Sequence, residues 1–217
     1  MKTRIKICCI SSREEAELAI RSGADALGLV GHMPSGPGVI SDESIKKVTE
    51  STPPPIATFL LTSETQVEAI IRHWHKVRTN TIQIVDALSY GSYQEIRKAL
   101  PGVKLVQVIH VMDESSVEEA KSVARDVDAI LLDSGNPSLA VKELGGTGKV
   151  HNWEISRKIR KTIDIPLFLA GGLKPDNVQE AIRKVAPFGV DICSGVRTHG
   201  KLDADKLQRF VSTVHAG

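Results

Sequence analysis

Short apolar runs of five to eight residues recur eight times along the chain, at 4–10, 26–30, 56–62, 81–86, 104–111, 129–133, 166–170 and 189–193. Each is followed by a stretch in which apolar residues return with helical spacing: 14–22, 42–51, 64–77, 93–100, 115–126, 153–162, 176–185 and 203–214. The punctuation agrees. Ser11 and Ser12 precede the acidic pair Glu14 and Glu15, as at a helix start, and Gly23 stops that helix. Pro53, Pro54 and Pro55 break the second helix, and Pro175 stands at the start of the seventh. Strict alternation of strand and helix builds a parallel sheet covered by helices. Eight such units in 217 residues predict one (β/α)8 TIM barrel occupying residues 1–217 as a single domain. An open doubly wound sheet is the other arrangement of these elements. No dinucleotide-type glycine fingerprint follows the first strand, which favours the barrel.

Bulk properties exclude several roles. Charged residues are 25% and the net charge is +2, so no nucleic-acid surface is expected. No apolar run approaches membrane-spanning length, and no membrane association is expected. Three cysteines, two of them adjacent, make no disulfide framework, which fits a reduced, cytoplasmic compartment. The seven histidines form no close ligand motif, so no metal is expected. Aromatic residues are only 4%, leaving aliphatic side chains to build strands buried on both faces.

Chemistry in such a fold gathers at the C-terminal ends of the strands. The first strand delivers Cys8 and Cys9 there. Alternation puts Lys6 and Cys8 on one face and Ile5, Ile7 and Cys9 on the other, where Cys9 reads as a small hydrophobe. A lone interior Lys6 needs an anion. Asp191, on the strand that a closed barrel places beside the first, is the expected partner. Asp133 ends the sixth strand as a carboxylate at the catalytic edge, suited to acid–base work or to capping a loop. Gly171-Gly172 and Ser194-Gly195 follow the seventh and eighth strands, where backbone N–H groups can hold a phosphate. The long irregular stretch 134–151 contains Gly145-Gly146-Thr147-Gly148, either a lid or a plain connection. His32, His110 and His151 lie near edge loops and read as hydrogen-bonding residues.

Lys6-Ile-Cys-Cys-Ile10 resembles the opening Lys-Ile-Cys-Gly-Ile of phosphoribosylanthranilate isomerases. The similarity continues in order through 22–28, Leu131-Leu-Asp133, 145–149, Trp153, 170–178 and 187–196, and spans essentially the whole chain. The resemblance implies a (β/α)8 barrel that performs an Amadori rearrangement in tryptophan biosynthesis. A phosphoribosyl amine becomes an amino-deoxyribulose phosphate. It implies Cys8 as the general base at the sugar C2 and Asp133 as the general acid at the ring oxygen, with Lys6 and Asp191 in support. Gly171, Gly172, Ser194 and Gly195 would hold the phosphate, and Gly146, Gly148 and Gln83 would contact substrate. No cofactor is required. The partner is a phosphorylated sugar-amine, and the protein is a monomer or homodimer.

Departures from the family pattern cluster at the aromatic end of the substrate. Cys9 replaces a Gly. Gly38 replaces the Arg that pairs with the anthranilate carboxylate. Gln83-Ile-Val-Asp86 replaces Gln-Leu-His-Gly, His151-Asn-Trp153 replaces Phe-Asp-Trp, and Arg197 replaces a Glu. Arg197 is therefore a candidate carboxylate partner in place of the missing Arg. The expected result is weaker turnover of phosphoribosylanthranilate, improved by Gly38→Arg if the loop accepts the side chain. The other readings are a related sugar-phosphate isomerase with a different substrate and a non-catalytic phosphate-ligand-binding barrel.

Overall fold

The computed structural model describes residues 2–136, 139, 142, 144 and 150–216. Eight parallel strands follow one another in chain order: β1 (Arg4–Ile7), β2 (Ala26–Val30), β3 (Ala57–Thr62), β4 (Thr81–Ile84), β5 (Lys104–His110), β6 (Ala129–Asp133), β7 (Leu167–Leu169) and β8 (Gly189–Ile192). β8 pairs back with β1, so the sheet is a closed barrel and the open-sheet alternative is excluded. The helices are α1 (Arg13–Arg21), α2 (Asp42–Ser51), α3 (Val67–Val77), α4 (Tyr93–Ala99), α5 (Ser115–Val123), α6 (Trp153–Thr162), α7 (Val178–Val185) and α8 (Ala204–His215).

The cap of α1 is the one expected from Ser11 and Ser12. Ser12 Oγ accepts from the Glu15 amide at 3.3 Å, and Glu15 Oε2 accepts in return from the Ser11 amide at 3.0 Å. Ser41, Ser92, Asn152 and Asp203 cap α2, α4, α6 and α8 in the same manner. Pro175 does not open α7. Asn177 fills the interval instead, accepting from the Lys174 amide and donating to Gly172 O, so the chain makes a turn before Val178. A hairpin of β9 (Arg197–Thr198) and β10 (Lys201–Leu202) was not expected. It closes through His199 and Gly200, both at positive φ, the pairing a two-residue hairpin turn requires.

Strand alternation divides the buried residues into two sets. Ile5, Ile7, Leu27, Leu29, Leu60, Ile82, Ile84, Ile130, Leu132, Leu167 and Leu169 face the helices. Ala26, Val30, Phe59, Leu61, Val106, Val108, Ala129, Leu131 and Phe168 fill the barrel. Phe59 and Phe168 meet edge-to-face at 5.9 Å in that interior.

One charged pair breaks the apolar interior. Lys6 Nζ donates to Asp191 Oδ2 at 2.9 Å, across the β1–β8 seam and in direct register. The ammonium also lies 5.2 Å from the centre of the Phe59 ring. Burial alone would push Lys6 down, but the Asp191 charge and hydrogen bond together with the neighbouring Cys8 and Cys9 outweigh it, and the ammonium is held above its ordinary value. Gly28 makes the room: a Cβ there would stand 2.9 Å from Cys8 Sγ and 3.0 Å from Lys6 Nζ.

Candidate active site

A cavity opens at the C-terminal ends of the strands, where Cys8, Asp133, Gly171, Gly172 and Ser194 all reach its wall. Asp133 comes from β6 and Cys8 from the end of β1. Asp133 Oδ1 accepts from the Ser134 amide at 2.7 Å, which fixes the carboxyl on the rim. Burial raises its pKa above the ordinary carboxylate value against that hydrogen bond and the neighbouring His110. His110, paired with Asp133 in register, spends its Nε2 on Val85 O at 2.9 Å. A carboxyl with a raised pKa opposite a thiol is a workable acid–base pair.

Two acceptors aimed at this space have no partner among the described residues. They are Gln83 Oε1 and Asp191 Oδ1, and both side chains line the cavity. Buried polar atoms left open in a cavity are natural points for substrate hydroxyl or amine donors. On the far side, Gly171 (φ 82°) and Gly172 (φ 61°) form a left-handed turn after β7, and a single 3-10 turn, Ser194–Val196, follows β8. Gly195 does not reach the cavity wall. A Cβ there would lie 2.3 Å from Leu173 O, so its small size lets the β7 and β8 turns pack together. Gly146 and Gly148 lie outside the described residues.

Cys9 departs from its expected place. β1 ends at Ile7, and Cys9 takes a left-handed φ of 62°, which turns its side chain back to the cavity. A glycine would adopt this conformation without strain. Its Sγ sits 3.7 Å from Pro37 O in the loop after β2. The same loop carries Gly38, itself at φ 83°, and a Cβ on Gly38 would stand 2.5 Å from Cys9 Cβ. Cys9 and Gly38 thus interlock, and no side chain fits at position 38. Gly38→Arg is therefore expected to destabilise the fold by about 1–3 kcal/mol and to lower kcat/KM. Cys9→Gly should relieve part of that cost, as thermal melts and kinetics of the two single variants and the double variant would reveal. A more active, equally stable Gly38→Arg would disprove the interlock.

Arg197 also requires correction. Its guanidinium is a bidentate partner of Glu15, at 2.9 Å and 3.0 Å, and it donates to Cys8 O at 3.4 Å, Cys9 O at 2.5 Å and Gly200 O at 2.9 Å. The side chain is 8% exposed. It braces the turn after β1 and has no fork left for a substrate carboxylate. The strand pattern signals none of this, because the partner lies 182 residues away.

The N-(5'phosphoribosyl)anthranilate (PRA) isomerase family model matches residues 5–213. The chain belongs to the PRA isomerase family. N-(5'-phosphoribosyl)anthranilate isomerase 2 of Methanosarcina mazei is 38% identical over 210 residues, covering 96% of this chain and 92% of that one. The isomerase of Methanosarcina acetivorans is 34% identical, covering 99% and 94%. Among solved structures, phosphoribosyl anthranilate isomerase of Thermotoga maritima aligns with a TM-score of 0.81 at 30% identity, over 99% of this chain and all of that one. A further PRA isomerase, in complex with reduced 1-(o-carboxyphenylamino)-1-deoxyribulose 5-phosphate, aligns at 0.78 with 28% identity.

Proposed function

We propose that this protein isomerises phosphoribosylanthranilate to the corresponding 1-amino-1-deoxyribulose phosphate, a step of tryptophan biosynthesis in the cytoplasm. The reading rests on Cys8 and Asp133 facing one cavity whose far wall is the paired turns at Gly171-Gly172 and Ser194. Asp133, whose pKa burial raises, gives its proton to the ring oxygen as the C1–O bond opens. Cys8 then removes the proton from C2, and the electrons shift to form the enolamine that tautomerises to the ketone. The amides of the two turns hold the phosphate, and Gln83 Oε1 and Asp191 Oδ1 accept from substrate hydroxyl or amine groups. The protein performs this without a cofactor, as a monomer or homodimer built on one barrel unit.

The carboxylate end of the substrate is the weak point. Gly38 offers no cation, and Arg197 is already paired. A missing charged hydrogen bond costs about 1.5–3 kcal/mol, roughly ten- to a hundredfold in affinity, so the expectation is a raised KM with kcat largely kept. A steady-state assay with phosphoribosylanthranilate tests the activity, and restored growth of a tryptophan auxotroph lacking the isomerase tests it in the cell. Inorganic phosphate should compete with substrate, raising KM and leaving kcat unchanged. Competition by phosphate with no turnover would turn the reading towards a ligand-binding barrel, and a non-competitive pattern would remove the phosphate site from these turns.

A further inference from the structure

The acid–base chemistry uses one thiol, yet three line the cavity: Cys8, Cys9 and Cys193, all unpaired. Their convergence comes from the seam of the barrel. Ile7 and Ile192 are in register, and the Cys8 amide donates to Ile192 O at 2.8 Å, so Cys8 and Cys193 leave adjacent strand ends side by side. The left-handed turn then brings Cys9 back to the same cavity wall as the other two thiols. Parallel strands lie about 4.8 Å apart, which keeps the Cys8 and Cys193 backbones within the range of about 4.4–6.8 Å that a disulfide spans, and Cys9 is the residue next to Cys8 at the same cavity wall. Cys8 and Cys9 are buried, and Cys193 is the more open of the three.

We infer that Cys193 and Cys9 form a modification site for hydroperoxides, with Cys193 as the reacting thiol and Cys9 as the resolving one. The Cys193 thiolate attacks one oxygen of hydrogen peroxide. The O–O bond breaks, an S–O bond forms, and the departing hydroxide takes up a proton to become water. The Cys9 sulfur then attacks the Cys193 sulfenic acid. An S–S bond forms, the S–O bond breaks, and the hydroxyl leaves as a second water with the Cys9 proton. Peroxide is reduced by two electrons and the thiol pair is oxidised by two.

The surroundings support this division of labour. The neighbouring Cys9 thiol, followed by the Arg197 charge, holds Cys193 below the usual thiol range, against burial and Asp191. The two neighbouring thiols and burial push Cys9 up, so it keeps its proton until the sulfenic acid forms. A Cys9–Cys193 bridge would stand beside Cys8 and close off the cavity. That consequence rests on the proposed role of Cys8; the modification itself does not.

The test is peptide mapping of the whole protein under non-reducing conditions after brief exposure to hydrogen peroxide. Trypsin releases Cys8 and Cys9 on peptide 7–13 and Cys193 on peptide 185–197. The expected product is these two peptides joined, lighter by two hydrogens and separated by dithiothreitol. Cys8→Ser should retain the cross-link. Cys9→Ser should lose it and leave a Cys193 sulfenic acid that dimedone traps. Circular dichroism establishes that each variant is folded, with Cys9→Ala as the substitute should Cys9→Ser fail. A cross-link that persists without Cys9 but disappears in Cys8→Ser would make Cys8 the partner and overturn the assignment. So would three unmodified thiols at peroxide levels that oxidise a solvent-exposed control thiol. Because the readout is mass, it stands whether or not Cys8 proves to be the catalytic base.

Discussion

Cys8→Ala and Asp133→Asn should each lower kcat/KM for phosphoribosylanthranilate by roughly 10²- to 10⁴-fold, the range a positioned acid or base contributes. The two side chains enter one cavity from the end of β1 and from β6. Gln83 accepts but cannot supply a proton at neutral pH in the way a carboxyl can. The effects should differ in form. Burial raises the Asp133 pKa, so the working acid is the protonated form and activity falls as pH rises through that value. This basic limb should vanish from the residual activity of Asp133→Asn, while inorganic phosphate still binds both variants. Near-wild-type turnover in either variant would remove that residue from the mechanism.

Arg197→Ala should destabilise the turn after β1. Removing one member of a part-buried ion pair leaves the other short of its donors, at a cost of about 1–3 kcal/mol. For a chain of this size that is a fall in Tm of roughly 2–12 °C. Cys8 and Cys9 carbonyls would lose their donor as well, and the Leu202 amide would remain on a carboxylate with no cation beside it. Burial works against the Glu15 carboxylate, but hydrogen bonds from Arg197, Leu202 and Ser11 outweigh it and hold the pKa low. The sign follows from linkage. A carboxyl lowered on folding contributes stability that is present above its unfolded pKa, near 4.3, and is lost as pH falls through the folded value. Wild-type protein should show this acid-sensitive portion in denaturant titrations, and Arg197→Ala should lack it. Arg197→Lys should recover only part, since an ammonium cannot reproduce the fork. An unchanged melting temperature with a selective rise in KM would restore Arg197 to substrate binding.

The barrel was legible because strand and helix periods are local signals, repeated eight times and punctuated by residues such as Ser12 and Gly23. The Lys6–Asp191 pair was legible for a related reason: parity and closure together leave a buried lysine one neighbour of opposite charge. Cys9 was misplaced by that same parity argument. Parity holds only while the strand continues, and the sign of φ at residue 9 is set by the loop docked against it, not by residues 8 and 10. Arg197 was misread because its partner is distant in sequence and lies on the first helix. The Pro175 boundary failed more modestly, because Asn177 satisfies the amides that a helical turn would otherwise use. The hairpin after β8 carried a His-Gly signal that sequence reading passed over.

The seam between β1 and β8 sets a schedule for biosynthesis. Its charged contact joins residues 185 positions apart, and the Arg197–Glu15 pair beside it spans 182, so neither forms until residues 191 and 197 have left the ribosome. Until then β1 is an unpaired edge carrying a lysine with no counter-ion and two cysteines without cover. Such an edge is a template for pairing with another nascent chain. The charge on Lys6 guards against that outcome during synthesis and becomes the closing clasp once Asp191 emerges.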